Sequence, residues 1–283
     1  MILLLAIGLG LMAAAAGVGA QVGVDVWAAF GEDGWDWRLS LLIVLLQAVL
    51  IIAIVAAWWR WAERRTAASV GLPRRRLGRA EGGWLLIGLG WGLVTAILLS
   101  VAEGDVALVP GALSALAVDP LAVAAALLVL LPAGVVAAAA EEVVFRGWGL
   151  AAVSARAGVG VAVVVTSVLF AFAHFEPGQL QLAGRSISLI TYVLAGAGMA
   201  VIALKRGDLY GATAFHAGFN VALLLLEFGG SNLDPGQVAD DVLFGARGTE
   251  NVVGAISWLV LELLLLIALL KAPFGSRRLT RSA

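Results

Sequence analysis

The sequence of 283 residues contains no cysteine and only two histidines, and just 13% of its residues are charged. Without cysteine there can be no disulfide framework, no thiolate nucleophile and no cysteine-ligated zinc site. The formal net charge is −1, so we expect no nucleic-acid partner. Intrinsic disorder is excluded as well, because disordered chains combine low hydrophobicity with high net charge. With 62% hydrophobic residues, the chain has the composition of an integral membrane protein.

Eight apolar runs are long enough, or nearly long enough, to cross a bilayer as helices. A hydrocarbon core about 30 Å thick needs around 20 apolar residues in a helix. The runs are continuously apolar rather than alternating, which favours helices over strands. We therefore predict an all-α fold, a polytopic transmembrane helix bundle of about eight spans. The predicted spans are residues 2–24, 39–59, 83–101, 121–145, 159–175, 187–204, 210–227 and 252–270.

Basic residues give the predicted orientation of these spans. Fifteen of the 18 lysines and arginines fall on one side if the eight spans alternate, and seven of them lie in the Arg-rich segment 60–79. Because such loops stay in the cytoplasm, both termini are predicted to be cytoplasmic, in the plasma (inner) membrane. Residues 1–20 end in a sequence that resembles a signal-peptidase site, but no basic residue precedes the apolar run, which favours an uncleaved span.

The chain divides into three predicted regions. Residues 1–120 hold three N-terminal spans and the Arg-rich segment. Residues 121–228 hold the candidate functional core, and residues 229–283 hold a loop and the last span.

Five ionisable residues fall inside or at the edge of apolar runs: Glu141, Glu142, Glu262, His174 and His216. A charge at the bilayer centre costs at least about 2.5–3.5 kcal/mol, so such residues are rare and usually functional. Each also has a structural explanation, since a buried histidine can be a hydrogen-bonded core group. Glu262 could simply pair with a polar neighbour on an adjacent helix.

The spacing of these residues and their neighbours favours a functional site. Residues four apart share one face of a helix. Three pairs have this spacing: Glu142 with Arg146, Phe170 with His174, and His216 with Asn220. Glu142 and Arg146 can form an ion pair, whereas Glu141 is rotated about 100° away and has no local partner.

A hairpin brings two of these residues to one depth. The turn between the fourth and fifth spans falls near Ala157 and Gly158, and Glu141 and His174 lie equally far from it along the chain. Antiparallel helices would place both about 24 Å from the turn. His216 matches this depth only if the 205–209 turn sits deeper in the bilayer or the hairpin projects beyond it.

These residue types could activate water. Glu141 would act as general base, His174 would position the water, and His216 and Asn220 would stabilise an oxyanion. Alternatively, Glu141, His174 and His216 could ligate a divalent metal such as zinc, with one position open for water. The HExxH zinc motif, a serine elbow and a pair of intramembrane aspartates are all absent.

Three motifs resemble those of a known family. Residues 141–146 (EEVVFR), 170–174 (FAFAH) and 216–220 (HAGFN) resemble the EExxxR, FxxxH and HxxxN motifs of the CAAX protease and bacteriocin-processing family. The resemblance covers roughly residues 121–228 and implies an all-helical intramembrane endopeptidase; eukaryotic members remove the last three residues of prenylated CAAX proteins. It implies water activation by Glu141 and His174, oxyanion contacts from His216 and Asn220, and a supporting role for Glu142, Arg146 and Phe170. Both metal-dependent and metal-free mechanisms are associated with the family.

We therefore predict an intramembrane endopeptidase that acts on a membrane-associated or lipidated protein or peptide. One alternative is a non-proteolytic immunity or scaffold protein that binds a partner helix, because polar clusters also hold membrane helices together. A transporter or channel is the other alternative, but the sequence lacks the internal repeat common in transporters.

Overall fold

The computed structural model describes residues 37–74, 76–103, 134–174, 183–230 and 252–272, with a few isolated residues between 111 and 132. The predicted span 2–24 lies outside these residues, and so does the possible signal-peptidase site within residues 1–20. Of the predicted span 121–145, most residues before 134 also lie outside them.

The described chain is helical and has no strand, which confirms the all-α prediction. Four of its helices are long and apolar enough to cross a membrane, α2, α3, α4 and α6, while the total of eight spans stays a prediction. The helices are α1 (Trp37–Ala57), α2 (Arg79–Glu103), α3 (Gly134–Ala173), α4 (Ala183–Arg206), α5 (Tyr210–Gly230) and α6 (Val252–Lys271).

Helix α3 is broken at Gly158 into two antiparallel arms, residues 134–157 and 159–173. The backbone of Gly158 has φ 82° and ψ 162°, a conformation that is open almost only to glycine. The arms fold back on each other, since a Cβ built on Gly149 would lie 3.4 Å from Cγ2 of Thr166. Gly149 and Thr166 are nearly equidistant from Gly158 along the chain. The predicted hairpin turn is therefore confirmed.

Helices α2 and α5 pack backbone to backbone through small residues. A Cβ on Gly88 would overlap the carbonyl group of Phe215, and a Cβ on Gly218 would overlap that of Leu85. Such contacts allow membrane helices to approach closely. The contacts flank His216 on α5 and so fix the height of this side chain in the bundle.

The Arg-rich segment folds against the α4–α5 turn. A π-helical stretch, Trp58–Ala62, leads into it, and it contains a 3-10 turn, Ala67–Val70. The Leu209 N–H donates a hydrogen bond to the Gly71 carbonyl at 2.8 Å. Arg206 of α4 also pairs with Glu81 at 2.6 Å.

The C-terminus of α6 lies at this same end of the bundle. Lys205 Nζ donates to the carbonyls of Leu269, Leu270 and Ala272, at 2.6–2.8 Å. The Arg-rich segment, the α4–α5 turn and the end of α6 therefore meet at one end, hereafter the basic end. This clustering is the arrangement that the charge pattern predicts.

The hairpin tip extends beyond the basic end. A Cβ on Gly147 would lie 2.9 Å from the Val70 carbonyl oxygen and 3.0 Å from Leu209 Cδ1, so Gly147 is level with the α4–α5 turn. Gly158 follows eleven residues later, which at 1.5 Å per residue is about 16 Å further along the arm. This offset brings His216, two turns into α5, to the height of the first motif.

Candidate active site

The first motif lies where α3 changes from α-helical to π-helical geometry. Residues Val143–Gly149 form a π-helical stretch, a feature that often accompanies functional sites. Glu142 Oε1 accepts a hydrogen bond from Arg146 Nη1 at 3.0 Å, and both side chains are fully buried. Arg146 Nη2 also donates to the Gly196 carbonyl of α4 at 3.1 Å. The ion pair predicted from spacing is confirmed, and it also links α3 to α4.

Phe170 lies between the first motif and the two histidines. Its ring centroid is 4.3 Å from the Arg146 guanidinium carbon, 4.4 Å from the His174 ring and 6.0 Å from the His216 ring. Phe145 contacts it edge to face at 5.5 Å. Phe170 thus packs against residues of all three motifs.

Glu141 and both histidines converge on one point. Oε2 of Glu141 lies 3.7 Å from Nε2 of His174 and 3.8 Å from Nε2 of His216. The side chains of Glu141 and His174 are 31% and 28% exposed, whereas that of His216 is 8% exposed. The depth match that the hairpin predicts for Glu141 and His174 is therefore present, and α5 adds His216 to the same cluster.

The opposite ring nitrogens of the two histidines are held by hydrogen bonds. His174 Nδ1 lies 2.9 Å from the Phe170 carbonyl oxygen, and His216 Nδ1 lies 3.1 Å from Glu142 Oε1. Both oxygens can only accept, since a backbone carbonyl and an ionised carboxylate carry no proton. Each Nδ1 therefore donates, and each Nε2 is directed towards Glu141.

Two residues singled out from the sequence make no described hydrogen bond to this cluster. Asn220 lies on α5 one turn beyond His216 and is partly buried. Within the described part of the chain, no hydrogen bond joins Asn220 to Glu141 or to either histidine. Glu262 is buried on α6 and accepts hydrogen bonds from two indoles, Trp91 at 3.0 Å and Trp258 at 3.4 Å. The polar neighbour expected for Glu262 is therefore tryptophan.

Glu141, His174 and His216 are also the donor set of the metal-dependent alternative. Among the residues with described positions, no group of three histidine, cysteine or acidic side chains is arranged to hold a metal ion.

Sequence reasoning missed three contributors to the site. They are the Gly196 carbonyl, the Tyr192 ring that stacks on His174 at 4.9 Å, and Glu63, whose Oε1 accepts from Trp148 Nε1 at 2.8 Å. Glu63 is the only acid in the Arg-rich segment, a signal that could have drawn attention to it. Gly196 and Tyr192 carry no comparable local signal.

The part of the chain that matches a known protein family contains this site. Residues 123–222 match the profile of a family described as type II CAAX prenyl endopeptidase, Rce1-like. All three motifs lie inside the matched residues. No curated protein and no solved structure matches the chain.

Proposed function

We propose that this integral membrane protein is an intramembrane endopeptidase, because residues 123–222 match the profile of the Rce1-like type II CAAX prenyl endopeptidases. Its substrate is a membrane-associated or lipidated protein or peptide. The proposal rests on one observation above all, the convergence of Glu141, His174 and His216 from three helical segments within 3.8 Å.

Glu141 does not bond directly to either histidine. Direct hydrogen bonds between these atoms would need about 2.7–3.2 Å, so 3.7–3.8 Å is too long for a direct bond. A water molecule in contact with all three groups would be held next to a carboxylate that can take its proton. Oε2 of Glu141 is itself buried and has no hydrogen-bond partner in the described part of the chain, so a water held there would satisfy it.

The hydrogen bonds at Nδ1 assign different roles to the two histidines. With Nδ1 donating to the Phe170 carbonyl, a neutral His174 ring accepts a hydrogen bond from the water at Nε2. An oxyanion contact from His216 requires a proton on its Nε2 as well as on Nδ1, and the Glu142 carboxylate at Nδ1 supplies the counter-charge for that state.

The reaction follows from these roles. Glu141 takes a proton from the water as the water oxygen attacks the carbonyl carbon of the scissile peptide. The negative charge that develops on the carbonyl oxygen is stabilised by His216 Nε2–H and by the amide N–H of Asn220. The C–N bond then breaks, and Glu141 returns its proton to the leaving amine nitrogen. Glu142 and Arg146 hold His216 and the first arm of α3 in register.

The position of the site points to the side from which a substrate enters. Glu141 lies six residues before Gly147, so it is about 9 Å deeper than the level of the α4–α5 turn. The basic end is the cytoplasmic end if the positive-inside rule holds for this chain. We therefore propose cleavage near the cytoplasmic leaflet, in the plasma membrane, with both termini cytoplasmic. A prenylated C-terminal peptide is one substrate of the right kind.

The proposal is tested by mapping peptide termini in membranes. Cells that carry the protein should accumulate new C-termini in membrane-associated peptides, and Glu141→Gln should abolish them. Glu250→Gln is the matched control, because it removes a carboxylate outside residues 123–222. Unchanged termini in Glu141→Gln, with full cellular function, would instead favour the non-proteolytic scaffold.

A further inference from the structure

The His174 ring stacks on a tyrosine that belongs to none of the three motifs. The centroids of His174 and Tyr192 are 4.9 Å apart and their planes differ by 20°. We propose that Tyr192 is a positioning residue for His174 and that Trp258 and Glu262 hold Tyr192 in place. This inference rests on the proposed function, because it assigns a task to the ring that orients the attacking water.

The place of His174 in the chain makes such support necessary. His174 is the C-terminal cap of the second arm of α3, with backbone φ −99° and ψ 12°. Helix ends fray, so the helix alone does not hold this residue firmly. The hydrogen bond from Nδ1 to the Phe170 carbonyl fixes one ring atom. Contact with a flat aromatic face also fixes the plane of the ring, and hence the direction of the Nε2 lone pair.

Tyr192 is in turn held by a buried tryptophan. The Trp258 ring meets the Tyr192 ring edge to face, at 5.1 Å and 79°. Trp258 is 5% exposed and lies on α6, so its ring cannot move without repacking the interface between α6 and α4. Aromatic pairs prefer this T-shaped geometry, in which the edge of one ring meets the face of the other.

Glu262 completes the arrangement. Its Oε1 accepts from Trp258 on its own helix and from Trp91 on α2, and its side chain is buried. A buried tryptophan needs an acceptor for its indole N–H, and one carboxylate oxygen here serves two of them. The conspicuous acid in the last apolar run therefore fixes the indole that supports Tyr192. It is not part of the water-activating cluster.

Nuclear magnetic resonance of the two histidines tests this inference without any substrate. The full chain, labelled with 15N-histidine in lipid nanodiscs, gives signals from only two imidazole rings. Tyr192→Leu removes the stacked ring, so the carbon-bound protons of His174 should lose an upfield ring-current shift. The signals of His216, which lies on α5, are the internal reference. Tyr192→Phe keeps a stacked ring and should preserve the His174 shifts.

The role of the Tyr192 ring would be overturned by unchanged His174 signals in Tyr192→Leu. It would also be overturned if the Phe and Leu variants shifted these signals equally. If Tyr192→Leu disturbs both histidines through misfolding, Trp258→Leu decides instead, since it keeps both rings of the stacked pair and removes only the indole that supports Tyr192. His174 signals that move in Trp258→Leu while those of His216 stay fixed support the proposal, and unmoved His174 signals overturn it. Glu262→Gln, which keeps an acceptor oxygen, should resemble the unchanged protein.

Turnover gives a second readout once a cleaved peptide is known. A misplaced catalytic group costs on the order of a hundredfold in rate. We expect Tyr192→Leu to lower kcat by up to about this factor with KM unchanged, and Tyr192→Phe to restore it. A rise in KM with constant kcat would contradict a positioning role. The spectroscopic result is independent of hydrolysis, so failure of this inference and failure of the proposed peptidase activity are distinguishable.

Discussion

The Nδ1 atom of His216 lies 3.1 Å from Oε1 of Glu142, and the same oxygen accepts a hydrogen bond from Arg146 at 3.0 Å. The second glutamate of the first motif therefore does more than balance the charge of an arginine one turn away. It joins the first arm of α3 to α5 and determines which nitrogen of His216 faces Glu141. The two neighbouring glutamates thus have different proposed roles. Glu141 lies beside the reacting water, and Glu142 orients the ring of His216.

Removal of one partner from this buried network should be strongly destabilising. Glu142→Gln leaves the Arg146 guanidinium buried without its counter-ion, which typically costs about 3–5 kcal/mol. Arg146→Gln should cost a similar amount for the converse reason. The double variant should lose less than the sum of the two single losses, as thermal unfolding in detergent would measure. Additive losses would contradict the coupling.

The tautomer of His174 provides a prediction that needs no substrate. The 15N shifts of the neutral His174 ring should report its proton on Nδ1, because Nδ1 donates to the Phe170 carbonyl. The Nε2 atom that faces Glu141 then accepts a hydrogen bond from the water. A neutral His174 ring with its proton on Nε2 would contradict this orientation.

The Gly196 position should not tolerate a side chain. A Cβ there would lie 3.0 Å from Ser167 Cα and 3.3 Å from Arg146 Nη2, so α4 would have to move away from α3. Gly196→Ala should cost about 1–3 kcal/mol of unfolding free energy. Gly198→Ala on the same helix is the control, since its Cβ would meet Leu269 Cδ1 at an ordinary 3.5 Å. Equal losses of unfolding free energy in the two variants would contradict the claim that the close approach of α4 to α3 requires glycine at position 196.

Metal analysis distinguishes the proposed metal-free mechanism from the metal-dependent alternative. Purified protein dialysed against a chelator should keep its peptidase activity and contain well below one equivalent of zinc. Stoichiometric zinc that disappears together with activity in His216→Ala would instead support the metal-dependent alternative.

Local sequence rules predict the parts of the site that depend on short spacing or on symmetry about a turn. The i, i+4 rule gives the pair of Glu142 and Arg146, and equal distances from Gly158 give the approach of Glu141 to His174. The contact of Glu142 with His216 spans 74 residues and depends on how α5 packs against α2. Helical periodicity in one segment carries no information about such a distant partner.

The same limit applies to the residues around the cluster. Glu262 stands out in the sequence as a charge in an apolar run, but its bond to Trp91 spans 171 residues. The tryptophans inside apolar runs were a usable signal, because a buried indole N–H needs an acceptor. Tyr192 has no such signal, since an aromatic residue in an apolar helix is ordinary core composition. Its role follows only from the ring against which it packs.

The most direct test of the account is hydrolysis by the purified full chain in liposomes, in water enriched in 18O, with a peptide identified from the mapped termini. The account predicts one 18O atom in each new C-terminal carboxylate. It also predicts a rate that falls by at least about a hundredfold in Glu141→Gln, with no change in Glu250→Gln. Cleavage by Glu141→Gln at the rate of the unchanged protein would contradict the central claim that Glu141 activates the water.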